Sequence, residues 1–104
     1  MALCHRAPIS EEVASLLARD PFETVRRELS QNEALPLSAL GTLSRDRDPY
    51  VRHAVANHRR VPLAILKDLL RDDIPRVRAA ADFALQLRAE AASHPGHPAQ
   101  PRLA

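Results

Sequence analysis

Arginines at a constant spacing are the residues of this chain best suited to binding. Arg26, Arg52 and Arg78 are separated by 26 residues, and each directly follows a valine. Because a guanidinium presents paired N–H donors, a column of arginines on one face can bind carboxylates or phosphates. The same spacing allows them instead to pair with Asp46 and Asp72 of neighbouring units. Charges that recur with a repeat generally stabilise the repeat, so this structural role is favoured and ligand binding is the alternative.

A basic patch occupies the middle of the chain. Residues 44–60 contain five arginines and two aspartates, whereas residues 9–35 contain three arginines and six carboxylates. The patch could bind nucleic acid or an acidic protein. Tyr50 is the one aromatic residue nearby, so stacking surfaces typical of single-strand binding are lacking, and an acidic protein is favoured. The acidic first third of a second copy is one such surface. The candidate binding residues are Arg26, Arg52, Arg78, Arg45, Arg47, His53, Arg59 and Arg60.

The remaining reactive side chains give little support to catalysis or metal binding. Cys4 and His5 are adjacent, and without a third, orienting group they cannot hold the geometry that a nucleophile needs. His53 and His58 are five residues apart, about 140° around a helix, and do not bind one metal by themselves. A four-histidine zinc site would require His53, His58, His94 and His97. We therefore expect no catalytic residue, no metal ligand and no cofactor, and a protein that is not an enzyme.

Length and composition limit the fold that must position these residues. The chain has 104 residues, of which 45% are hydrophobic, and this predicts one folded domain. Nine prolines and two glycines argue against a β-rich fold with many tight turns. No apolar run approaches the ~20 residues that cross a bilayer, and no apolar leader opens the sequence, so a cytoplasmic protein is expected.

A repeat of 26 residues organises the chain. The segment LSRDRDPYVRHAVA (43–56) aligns without a gap with LLRDDIPRVRAAAD (69–82), and the same shift extends back into the first third. Five columns are identical in three units: Leu17, Leu43 and Leu69; Arg19, Arg45 and Arg71; Asp20, Asp46 and Asp72; Val25, Val51 and Val77; Arg26, Arg52 and Arg78. Such a repeat predicts units that stack and share one core, because a single unit cannot bury its own apolar face.

Prolines divide each unit into two halves. Pro36, Pro49, Pro62 and Pro75 are 13 residues apart. Because proline is tolerated in the first turn of a helix and not in its interior, each half predicts one short helix, either α or partly 3₁₀. Asp48 is placed to cap the helix that starts at Pro49. The residues expected on the apolar faces of the first halves are Leu37, Leu40, Leu43, Leu63, Leu66, Leu69 and Leu70.

These patterns predict an all-α fold, a short α-solenoid of about three two-helix repeats. The units span approximately residues 9–34, 35–60 and 61–91, with an N-terminal arm at 1–8 and a flexible, proline-rich tail at 93–104. Three units are near the minimum for a stable array. The last helix extends past the repeat, where its extra length could cover the exposed end of the stack.

The string VRHAVANHRRVPLAILKDLLRDDIPRVRAAA resembles the leucine-rich-repeat variant family. Its unit pattern is matched by Asp46, Val51, Arg52, Val55 and Asn57, then by Pro62, Leu63, Leu66, Leu69 and Asp72, with Val77 and Arg78 opening the next unit. The likeness covers about residues 9–84. It implies a right-handed superhelix of short helices and a protein-binding scaffold or adaptor. The cysteine-rich iron–sulfur module that some members of the family carry is not expected here, because Cys4 is the sole cysteine.

Overall fold

The computed structural model describes residues 9–93, and over this range the chain is helical and contains no strand. It has six α-helices: α1 (Glu11–Ala18), α2 (Glu23–Ser30), α3 (Leu37–Leu43), α4 (Pro49–Ala56), α5 (Leu63–Leu69) and α6 (Pro75–Ser93). The predicted all-α class is confirmed. The helices are α-helices, which resolves the choice between α and 3₁₀ that the sequence left open.

Prolines and short polar side chains set where the helices begin. Pro49 and Pro75 occupy the first position of α4 and α6, and Pro36 and Pro62 immediately precede α3 and α5. The missing proline N–H is no loss there, because the first N–H groups of a helix have no intrahelical partner. Asp48 caps α4 as predicted, accepting a hydrogen bond from the Tyr50 N–H at 3.1 Å.

Helices that follow each other in the chain pack together, and several helices also pack against the helix two places further along. The helix pairs α1–α2, α3–α4 and α5–α6 are in contact, and α4 additionally contacts α2, α5 and α6, while α1 contacts α3. The apolar faces meet in one core, whose largest fully buried side chains include Leu29, Leu40, Leu43, Val51, Val55, Leu66 and Val77. The core therefore draws on helices from every predicted unit.

Three of the leucines predicted to lie on the apolar faces are exposed instead. Leu37, Leu63 and Leu70 are 51%, 47% and 38% exposed, whereas Leu40 and Leu66 are fully buried. In α3 the buried face includes Ala39 and Leu43. At about 100° per residue, its centre lies roughly 110° away from Leu37, so the first leucine points to solvent. Ile65 shifts the face of α5 in the same way.

The ends of the described range differ from the predicted boundaries. Helix α6 continues through Ser93, which the prediction placed in the tail. The remainder of the predicted tail and the N-terminal arm at 1–8 lie outside the described residues. Between residues 9 and 93, no helix combines the length and the apolar character needed to cross a membrane.

Candidate interaction surface

Two of the three column arginines pair with aspartates twenty residues further along the chain. Arg26 donates from Nε to Asp46 Oδ2 at 2.6 Å and from Nη2 to Oδ1 at 3.3 Å. Arg52 repeats this arrangement on Asp72, at 2.7 and 3.1 Å. These are bidentate pairs, the strongest geometry available to a guanidinium and a carboxylate. We call this arrangement the Arg–Asp joint.

The joint also fixes the backbone on both sides. Nη1 of Arg26, Arg52 and Arg78 donates to the carbonyl oxygen of the aspartate six residues earlier, at 2.5, 2.6 and 2.6 Å. Oδ1 of those aspartates accepts a backbone N–H two residues on, in the pairs Asp20–Phe22, Asp46–Asp48 and Asp72–Ile74. The turn that contains each aspartate thus orients the carboxylate independently of the arginine.

Arg26 and Arg52 are largely buried, and each is paired with a buried carboxylate. Their side chains are 8% and 12% exposed, and the paired carboxylates are 5% and 6% exposed. The hydrogen bonds that Arg26 donates to the Asp46 carboxylate raise the pKa of Arg26 above its ordinary value. Burial acts to raise the pKa of Asp72, but the hydrogen bonds from Arg52 and the Ile74 N–H hold it below its ordinary value. These two arginines therefore take the structural role that the sequence favoured over ligand binding.

The third column arginine is placed differently. Arg78 is exposed, and among residues 9–93 no carboxylate pairs with it. Its Nη1 keeps the bond to the Asp72 carbonyl, so the guanidinium is oriented as in the other two units. The position twenty residues further along holds Pro98, which cannot provide a carboxylate. Within residues 9–93, its Nε and Nη2 edge is therefore without a carboxylate partner.

A second interhelical pair was not found from the sequence. Arg27 donates from Nε to Asp48 Oδ2 at 2.6 Å, and its guanidinium carbon lies 4.5 Å from the centre of the Tyr50 ring. The hydrogen bond from Arg27 lowers the pKa of Asp48. The repeat gives no signal for this pair, because His53 and Ala79 stand where Arg27 stands in the first unit.

The predicted basic patch is divided by the fold. Arg45 and Arg47 line a hollow beside Asp20 and Arg26, and this hollow shares no residue with those around α4. Arg60 is exposed, and its Nη1 donates to the Leu35 carbonyl of the preceding unit at 3.2 Å. The proximity of these cations in sequence is therefore not preserved as one surface.

His58 has a structural role at the end of α4. It is 8% exposed, with Nε2 2.7 Å from the Asn32 carbonyl oxygen and Nδ1 accepting the Arg60 N–H at 3.1 Å. A carbonyl requires a donor and an N–H requires an acceptor, so these contacts fit the neutral ring protonated on Nε2. His58 is therefore a histidine at the end of a helix that is bonded to the backbone on both ring nitrogens.

Three open hollows meet along the exposed side of α4. The first is lined by Tyr50, His53 and Arg76, and the second by His53, Asn57 and Arg59. The third is lined by Asn57, Arg59, Phe83, Leu87 and Arg88. The first and second hollows adjoin at His53, and the second and third share Asn57, His58 and Arg59, so we call the three together the α4 groove. It contains His53 and Arg59 from the predicted site, and adds Tyr50, Arg76, Phe83, Leu87 and Arg88.

The groove combines apolar area with positive charge at its edges. Tyr50, Phe83 and Leu87 are 57%, 60% and 51% exposed. Arg59 and Arg76 are also exposed, and Arg59 lies 3.5 Å from the Glu33 carboxylate in a solvated pair. Such exposed pairs contribute little and exchange partners readily, so Arg59 can turn to an incoming carboxylate.

Comparison with known proteins finds no matching family model, no matching curated protein and no matching solved structure. Between residues 9 and 93, no cluster of three or more histidine, cysteine, aspartate or glutamate side chains could hold a metal ion. Cys4, His5, His94 and His97, considered for catalysis or zinc, lie outside the described residues.

Proposed function

We propose that this chain is a helical-repeat scaffold that binds an acidic segment of a protein partner in the α4 groove. The observation that carries the proposal is the groove itself, in which exposed Tyr50, Phe83 and Leu87 lie between arginines. Exposed aromatic and arginine side chains are the types enriched where proteins bind each other. Acidic residues of a partner would pair with Arg59, Arg76 and Arg88, and apolar ones would cover the exposed rings.

We further propose that the helices form a short right-handed solenoid of about three units related to the leucine-rich-repeat variant family. Two features support this: the 26-residue sequence repeat, and the recurrence of the Arg–Asp joint at the same shift. The packing of α2 on α4 and of α4 on α6 is the contact expected between the second helices of stacked pairs, and among the first helices α1 packs on α3. The right hand of the superhelix is implied by the resemblance alone. The absence of enzymatic activity and a cytoplasmic location stay predictions.

Nucleic acid remains the alternative partner, and it is the weaker one. Binding of phosphates would draw on the column arginines, but Arg26 and Arg52 already hold Asp46 and Asp72. Releasing either would leave a buried carboxylate unpaired, at a cost of several kcal/mol, on the order of 3–5. The alternative predicts tight, salt-sensitive binding of oligo-dT, and competition between oligo-dT and an acidic peptide separates the two.

The test is selection of random displayed peptides against the immobilised full chain, with oligo-dT as a competing probe. We expect enrichment of peptides that combine Asp or Glu with apolar residues. In the double variant Arg59→Glu/Arg76→Glu, affinity for an enriched peptide should fall at least roughly tenfold, because two attractive contacts become repulsive.

The matched control is Lys67→Glu/Arg71→Glu, which changes net charge equally at two exposed positions outside the α4 groove. It should bind the enriched peptide within about twofold of the unmodified chain at physiological ionic strength, where distant charges are screened. If both double variants lower the affinity for the peptide equally, the net charge of the chain and not the α4 groove determines binding. Absence of any enriched acidic peptide, or tighter and salt-sensitive binding of oligo-dT, would reject the proposal.

A further inference from the structure

The Arg–Asp joint has two halves, and each half is oriented by contacts within its own unit. The arginine half is a guanidinium held by Nη1 on the aspartate carbonyl six residues earlier, which leaves Nε and Nη2 facing the next unit. The aspartate half is a carboxylate oriented by the N–H two residues on. In Arg26–Asp46 and Arg52–Asp72 the halves meet within the chain.

The two ends of the described chain each carry one unmatched half. Arg78 holds the Asp72 carbonyl at 2.6 Å, and among residues 9–93 no carboxylate pairs with it. Asp20 accepts the Phe22 N–H on Oδ1 at 2.9 Å, and no arginine of residues 9–93 forms a side-chain ion pair with it. Within residues 9–93, the first unit therefore carries an acceptor half and the last unit a donor half, each without its partner half.

The residues next to these halves are also complementary. Between the first and second units, Arg27 pairs with Asp48, and between the second and third, His53 lines a hollow with Ile74. Ala79 in the last unit stands at the repeat position of Arg27 and His53, and it is exposed. Phe22 in the first unit stands at the repeat position of Asp48 and Ile74, and it is 68% exposed. Both partners thus change together from charged to apolar.

We propose that the chain associates head to tail with a second copy of itself, Arg78 of one copy completing the Arg–Asp joint on Asp20 of the next. Phe22 then covers the apolar surface at Ala79, on the same register by which the units join within one chain. The contact is heterologous, so it extends into an open assembly instead of closing as a symmetric dimer. It uses residues outside the α4 groove and stands independently of the proposed function.

One carboxylate limits the strength of this contact. Asp82 occupies the column of Ser30 and Ala56, which are 2% and 1% exposed, and it is itself exposed. Completing the joint brings Asp82 to a position where its counterparts are covered, and a carboxylate loses favourable hydration there. The expected association is therefore weak. Asp82→Ala should strengthen it, lowering the dissociation constant by roughly tenfold.

The test is sedimentation of the full chain over a range of concentrations, with charge reversal at each half. The unmodified chain should associate, and Arg78→Asp or Asp20→Arg alone should weaken association at least roughly tenfold, because like charges then meet. An equimolar mixture of the two variants should associate again. The carboxylate introduced at position 78 faces the guanidinium introduced at position 20, and the native Arg78 and Asp20 of the two variants face each other.

Recovery in the mixture distinguishes the joint from damage to folding, since misfolded chains do not restore each other. Circular dichroism of each variant checks the helices directly, and Lys67→Asp, at an exposed position on α5, is the matched charge control. A chain that sediments as a monomer at all concentrations would overturn the proposal. So would mixed variants that stay apart, or Lys67→Asp weakening association as much as Arg78→Asp.

Discussion

At the scale of single residues, the Arg52–Asp72 pair is the best place to measure what the Arg–Asp joint contributes. The Asp72 side chain is 6% exposed, so removing its partner leaves a carboxylate with little access to water. Arg52→Met keeps most of the side-chain volume and should lower the free energy of unfolding by about 3 kcal/mol. Urea denaturation followed by circular dichroism measures the change.

Arg78→Met is the matched control, because it removes the same side chain and the same bond to an aspartate carbonyl without unpairing a buried carboxylate. It should cost less than about 1 kcal/mol. The double variant Arg52→Met/Asp72→Asn should recover part of the loss, since the unpaired charge is gone. Similar losses for Arg52→Met and Arg78→Met would show that the buried pair contributes nothing beyond the carbonyl bond.

The arginines also show which parts of the candidate site could be predicted from the sequence. The 26-residue period identified Arg26, Arg52 and the aspartates that they bind, because the joint recurs with the repeat. Arg27 and Arg76 gave no signal, because their columns contain different residue types and only their place beside α4 makes them relevant. Periodic contacts are readable from one sequence, whereas a surface assembled from unlike residues requires the packing of the helices.

At the scale of the helices, α3 provides a matched pair of leucines. Leu40 is fully buried and Leu37 is 51% exposed in the same seven-residue helix. Leu40→Ala opens a cavity in the core and should lower the free energy of unfolding by about 3 kcal/mol. Leu37→Ala should change it by less than about 0.5 kcal/mol. Urea denaturation of the two variants separates them, and equal losses would contradict the orientation of α3.

The helices also show why boundaries were easier to predict than faces. Proline chemistry acts locally, so the starts of α3, α4, α5 and α6 followed from the sequence. The orientation of a two-turn helix depends on its neighbours: Ala39, a small residue, lies in the core while Leu37 does not. Helix α6 extends past the repeat as the sequence predicted, and it reaches Ser93 because no proline interrupts residues 76–93.

At the scale of the whole molecule, the position of α4 predicts an uneven distribution of local stability. Helix α4 packs against α2, α3, α5 and α6, whereas α1 contacts α2 and α3 and the far half of α6 exposes Leu87. Amides of α4 should exchange with solvent only on global unfolding, while those in the last two turns of α6 should open with roughly 0–2 kcal/mol.

Native-state hydrogen exchange read by NMR measures these opening free energies residue by residue. Val55, fully buried on α4, should be among the slowest amides, and α1 should fall between α4 and the end of α6. The order follows from how many sides of each helix are covered, because an amide exchanges locally when its helix can open without disrupting the core. Repeating the measurement at a second pH confirms that opening equilibria, not opening rates, are observed. Slower exchange in α1 than in α4, or equal protection along all of α6, would contradict the prediction that α4 is the helix most stable against local opening.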